Sequence, residues 1–146
     1  MYKRISVMLV LLIVLSLSLT ACSSGEVAED TGETSTKIEA PIFPDAIPDS
    51  GKYKAGLDKA TEEFRALSPD FNVESNIYII PSVTSDDVYN FYNDAFKEPL
   101  GEGTKSQTEG GNIKFQWTTE NQEVTVYHLP DPTGAENVLI VLNAWK

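Results

Sequence analysis

The sequence has one cysteine, Cys22, and one histidine, His128, in 146 residues. A single cysteine excludes an internal disulfide. A zinc or copper centre draws on several His and Cys ligands and lacks its raw material, so no metal site is expected. Nucleophilic catalysis meets the same shortage: a histidine-centred triad has one possible base, and no serine stands in a Gly-x-Ser-x-Gly turn. The glycines at 101, 103, 110 and 111 are not followed by Lys-Ser or Lys-Thr and open no helix after a strand. A phosphate-cradling loop is thereby excluded, and no cofactor is expected. Basic residues are scarce as well, 11 Lys and Arg against 22 Asp and Glu, for a net charge of -11. Such a surface repels nucleic acid phosphates and anionic headgroups, so nucleic acid is not an expected partner. Oxygen-rich clusters do occur, Asp45 with Asp49 and Asp131 with Glu136 and Asn137, but neither follows the Asp-x-Asp-x-Asp-Gly spacing of a calcium loop. They read as acidic turn residues.

The amino terminus is more informative. Lys3 and Arg4 precede a run from Ile5 to Leu19 that only serines relieve, and Leu19-Thr20-Ala21-Cys22 follows. The apolar stretch is about fifteen residues, short of the roughly twenty that span a bilayer and suited to a secretory signal. Leu-Thr-Ala-Cys resembles the lipobox of bacterial lipoprotein precursors, with an aliphatic residue three before the cysteine and small residues next to it. That resemblance implies a signal peptide over residues 1–21, cleavage before Cys22, and a palmitate-class diacylglycerol on the Cys22 thiol. The protein would then be extracytoplasmic and lipid-anchored to a bacterial membrane. Losing Lys3 and Arg4 with the signal leaves nine bases against 22 acids, a net charge of about -13.

Residues 22–40 combine the cysteine with Ser, Gly, Glu, Thr and Asp and show no periodicity that could bury a face, which predicts a disordered acidic tether. Residues 41–146 are long enough for one small domain and too short for a two-lobed solute receptor. Pro41, Pro44 and Pro48 punctuate an apolar lead-in. Tyr53, Leu57, Ala60, Phe64 and Leu67 recur at helical spacing, predicting a helix over 52–67 that is weakened by Gly56. Ile77 to Ile80 reads as a short strand. Val88, Phe91, Tyr92, Ala95 and Phe96 predict a second helix over 85–97, with Thr84 or Ser85 as cap and Asp86 and Asp87 in its first turn. Alternation predicts strands from Ile113 to Thr119 and Glu123 to Leu129, joined by a tight turn. Val138 to Trp145 is nearly continuous in its apolar residues, as expected of a strand covered on both sides or one against which both helices pack. The pattern argues for an α+β fold: a four-stranded, largely antiparallel sheet with two helices on one face. From Pro41 on it also resembles a small extracytoplasmic domain of bacterial lipoproteins, whose Phe-Tyr pair on a helix is matched by Phe91-Tyr92, with the helix around Leu57 as an addition. That resemblance brings no catalytic residue with it.

With Val124 and Val126 facing the core, alternation turns His128 inward, where it reads as a structural histidine near the sheet edge. No catalytic residue is assigned. What remains is recognition: Thr125, Tyr127 and Trp145 are the expected binding surface, on strands whose uncovered face could take an envelope protein or a glycan. The expected function is a non-catalytic binding or assembly module at the cell envelope. The alternatives are a small carboxylate-dependent envelope hydrolase, since two carboxylates suffice for glycoside hydrolysis, and a structural spacer without a specific ligand. Mass spectrometry of the amino-terminal peptide tests the anchor: the expected species starts at an acylated Cys22, and a free Cys22 thiol or a peptide retaining residues 5–19 would refute it.

Overall fold

The computed structural model describes residues 36–133 and 136–146. The expected signal peptide, Cys22 and most of the expected tether lie outside the described residues. The element order is β1 (Ile47–Pro48), α1 (Lys54–Leu67), β2 (Asn72–Ile80), α2 (Ser85–Leu100), β3 (Thr104–Gln107), β4 (Ile113–Thr118), β5 (Gln122–Pro130) and β6 (Asn137–Trp145). The class is α+β, but the sheet has six strands rather than four, in the order β1-β2-β6-β5-β4-β3. Every pairing is antiparallel. Among the described residues no helix is long and apolar enough to cross a membrane.

The two added strands are the ones that hydrophobic alternation cannot reveal. β1 has two residues, and β3 is Thr-Lys-Ser-Gln with all four exposed, so its pairing with β4 rests on backbone hydrogen bonds. β2 extends amino-terminally through Asn72, Glu74 and Asn76, polar residues that alternate with Val73, Ser75 and Ile77. α2 continues past Lys97 to Leu100 with Pro99 inside it. A proline in the last turn removes one hydrogen bond, while burial of Leu100 and the Gly101 N–H donating to the Lys97 carbonyl at 3.1 Å hold the turn closed. The start of α2 is a reciprocal capping box, in which the Asp87 N–H donates to Thr84 Oγ1 and the Thr84 N–H to the Asp87 carboxylate.

The helices do not share one face, which corrects the expected layering. On one face Leu57, Ala60 and Phe64 of α1 pack over Ile140, Leu142 and Ala144 of β6 and Val73 and Ile77 of β2. On the other, Val88, Tyr92, Phe96 and Leu100 of α2 pack over Phe115, Trp117, Val124, Val126, Leu139 and Val141. β6 therefore supplies both cores from alternate residues, as a strand that is apolar on both sides must. Tyr92 and Phe96 are the buried centre of α2; Phe91 is half-buried against Phe43, ring centroids 5.0 Å apart, and Ala95 is exposed.

The folded unit also begins before Pro41. Ile38, Ala40 and Phe43 join the core on the α2 side. The Ile38 N–H donates to Gln122 Oε1 at 2.9 Å, and its carbonyl accepts from Gln122 Nε2 at 2.7 Å and Asn143 Nδ2 at 2.9 Å. Lys37 bonds Glu74 and lies over the Trp145 ring, 4.4 Å from its centroid. Residues 37–40 thus pack as part of the domain, where a tether was expected through residue 40.

Gly103 is packed face-on against Trp117: a Cβ there would lie 2.4 Å from the indole Nε1. The Gly103 N–H and the Trp117 indole N–H both donate to Asn93 Oδ1 at 3.2 Å, so neither partner can give way. Gly103→Ala should cost about 1–3 kcal/mol in urea unfolding, the usual result of forcing atoms into a filled core. Tyr92→Phe should be neutral or stabilising, because the Tyr92 hydroxyl is buried without a partner and its removal ends a desolvation cost. A loss above about 1 kcal/mol in Tyr92→Phe would contradict that reading.

Candidate functional site

The expected binding residues do not form one surface. Antiparallel pairing places Tyr127 opposite Ile140 and Thr125 opposite Leu142, on the α1 side. Trp145 follows Val141 and Asn143 in alternation, on the α2 side, under the Lys37 ammonium. Thr125 is 1% exposed, and its hydroxyl donates to the Glu123 carboxylate at 2.9 Å. Tyr127 and Trp145 are both half-buried, on opposite faces, and Tyr127 lines a groove.

α1 covers β2 and β6, Tyr127 and Leu129 of β5 pack at the margin of that core, and among the described residues no helix lies over the β4 and β3 part of the face. Between α1 and the β3–β4 turn lies a groove of about 400 Å³, within the range of small-ligand sites. Its floor is Tyr127, Leu129 and Ile140; one wall is Gly56, Lys59, Ala60 and Glu63, and the other Thr108, Glu109, Gly110 and Asn112. The groove exists because α1 carries small residues, Gly56 and Ala60, at the i, i+4 positions that face it. A Cβ at Gly56 would sit 3.8 Å from the Ile140 Cδ1, in ordinary van der Waals contact. The opposite wall is a turn closed by the Thr108 N–H donating to the Asn112 carbonyl at 2.8 Å, with Gly111 at φ 80°.

Partial burial, first, and then the nearby Glu63 and Glu123 carboxylates push the Tyr127 phenol above its ordinary pKa, so it enters the groove as a neutral hydroxyl. Among the described residues neither that hydroxyl nor the Thr108 and Asn112 side chains take part in a hydrogen bond. Glu63 forms an ion pair with Lys59 at 3.8 Å. Past Tyr127 the open strip continues with Lys114 beside it on β4 and Ser106 beside Lys114 on β3, and Gln116 and Thr104 form the next pair. The charges of Lys59 and Glu63 are those of an ordinary solvated helix face and do not mark a groove. The usable signal was the pair of small residues, Gly56 and Ala60, one turn apart on an otherwise bulky stripe.

His128 faces the α2 side and is 1% exposed. Its Nδ1 lies 2.8 Å from Ser85 Oγ, a pairing that the search for a glycine-flanked serine missed. A serine, a histidine and a helix start invite comparison with a nucleophile and its base, but the surroundings oppose that chemistry. The base of a triad is steadied by an acceptor on its second ring nitrogen, and Nε2 of His128 is buried without a partner. An imidazolium here would also face the positive end of α2 and the Lys105 charge. Burial first and Lys105 second lower the His128 pKa. The pair is structural, joining the start of α2 to β5.

Among the described residues no three His, Cys, Asp or Glu side chains converge as metal ligands. Asp49 instead accepts from the Gly51 and Tyr53 amides, both at 3.0 Å. Asn137 donates to the Val83 carbonyl at 2.9 Å and accepts from the Asp131 N–H at 3.2 Å. Comparison with protein-family models, with curated proteins and with solved structures finds no match for this chain.

The buried imidazole has a pH signature. The unfolded chain binds a proton at His128 near pH 6.5, the folded chain only at lower pH. Between those values the unfolded state holds more protons, so stability is full above about pH 6.5 and declines as the pH falls through the depressed folded-state value. Urea unfolding of the wild type and of His128→Leu from about pH 7 to pH 5 tests this: the substitution should lower stability overall and flatten its slope with pH. An unchanged slope would place the responsible titration elsewhere.

Proposed function

We propose that this chain is a membrane-anchored extracytoplasmic lipoprotein, held by lipid on Cys22, whose domain is a non-catalytic binding or assembly module at the cell envelope. The partner is an envelope protein or glycan. The observation that carries the binding half is the groove at Tyr127, where a partly buried aromatic ring and several uncommitted polar groups surround one concave space. A structural spacer has no use for such a site. The anchoring half rests on the basic start, the short apolar run and Leu19-Thr20-Ala21-Cys22. The unsupported imidazole of the Ser85–His128 pair favours a non-catalytic domain.

One observation favours the hydrolase as a second reading: Glu63 and Glu109 line the same groove from opposite walls. A glycosidase acid, however, depends on an apolar surround that shields it from water, and both glutamates are exposed. Loss of cell-wall fragment cleavage in both Glu63→Gln and Glu109→Gln would establish that reading over binding alone.

Photocrosslinking in intact cells tests the module. A photoreactive residue in place of Lys114, beside Tyr127, is expected to capture a recurrent envelope partner, and the same group in place of exposed Leu67 is not. Cys22→Ala should leave the chain unprocessed and deplete the adduct. Equal, unspecific labelling from the two positions would sink the binding reading.

A further inference from the structure

The groove at Tyr127 also constrains the chemistry of its occupant, and this step rests on the binding reading above. We propose that it is a saccharide site, taking an uncharged segment of a glycan chain with one sugar face on the Tyr127 ring and its hydroxyls on Asn112, Thr108 and Glu109.

Three observations lead there. The first is the composition of the walls. Lys59, Ala60, Glu63 and Glu109 are of the types depleted from protein–protein interfaces, and of the enriched Tyr, Trp, Phe, Met and Arg anchors the lining holds Tyr127 alone. Apolar contact is limited to Leu129, Ile140 and the tyrosine ring, too little for a protein hot spot and adequate for one face of a pyranose. The second is the mixture of free polar groups. A sugar hydroxyl both donates and accepts, and the groove offers acceptors at Glu63 and Glu109, hydroxyls at Thr108 and Tyr127, and an amide that does both at Asn112. On the α1 wall Lys59 pairs with Glu63 at 3.8 Å, so that wall presents both signs of charge together and does not select an ion. The third is continuity: the strip of Lys114, Gln116, Thr104 and Ser106 runs out from Tyr127 over the uncovered strands, polar throughout. A polymer seated at the groove can continue along it. A peptide joining the sheet would need a strand edge, and the groove floor is a sheet face.

The test uses the full chain in mild detergent, with chitotetraose, cellotetraose, maltotetraose and pentalysine as probes in titration calorimetry. At least one tetrasaccharide should bind saturably. Asn112→Ala and Tyr127→Phe, which keep the turn and the ring, should each weaken it about three- to tenfold, the effect of one lost hydrogen bond between uncharged groups. Unchanged circular dichroism keeps the variants interpretable. Binding that ignores both substitutions would overturn the groove as the site, and no binding by any tetrasaccharide would overturn the saccharide assignment. Pentalysine binding that the same substitutions weaken, without tetrasaccharide binding, would likewise overturn it while leaving the binding module intact. Silence from all four probes together with absent crosslinks in cells would remove both.

Discussion

Everything in this domain is arranged around one strand that must be covered twice. β6 sends Ile140, Leu142 and Ala144 to one side and Leu139 and Val141 to the other, all of them buried. Leaving either set in water would forfeit about 25 cal/mol for each square ångström of apolar surface. A single helical layer cannot cover both, so the helices divide. α1 takes the side whose neighbours are Val73 and Ile77, and α2 takes the side whose neighbours are Phe115, Trp117, Val124 and Val126.

The division is unequal, and the site follows from the inequality. On the α2 side the helix is joined by the lead-in, with Ile38, Ala40, Phe43 and Ala46 all packed into the same core. On the α1 side the described residues supply one helix and no second element, and its apolar stripe lies over β2 and β6 with Tyr127 and Leu129 of β5 at its margin. β3 and β4 on that side therefore carry Thr104, Ser106, Lys114 and Gln116, residues that tolerate water. Tyr127 stands at the boundary between covered and uncovered sheet, so its ring is packed while its hydroxyl remains free. A boundary of this kind is where an amphipathic side chain is most useful for recognition.

Much of this arrangement was legible in the sequence wherever burial leaves a period. The stripe of Val88, Tyr92 and Phe96 located α2, and the alternation of Phe115 with Trp117 and of Val124 with Val126 located β4 and β5. The continuous apolar run in β6 left two alternatives, coverage on both sides or a strand against which both helices pack, and the pairing with both cores decides for the first. Treating the helices as a single layer nevertheless left an imagined open face, and it placed Thr125, Tyr127 and Trp145 together when pairing separates Trp145 from the other two. β3 was illegible because Thr104 to Gln107 bury nothing. The groove was illegible for a related reason: it is defined by what Gly56 and Ala60 fail to fill, and small residues within a helical stripe weaken the very signal that locates the helix.

The lead-in shows the same limit in polar form. Ile38 lies in a stretch without apolar periodicity, yet its backbone amide and carbonyl are both engaged by Gln122 and Asn143, side chains 3% and 4% exposed. Two buried amides on a sheet would be costly alone. Bonded to one another at 2.8 Å and to a passing backbone, they become a reason for the chain to pass there. The cost and the remedy are 84 residues apart for Gln122 and 105 for Asn143, a separation no local pattern can bridge. Because the clamp grips β5 and β6 together, a chain anchored at Cys22 as proposed would transmit any pull from the membrane into the two most extensively paired strands of the sheet, rather than into a peripheral element that could peel away.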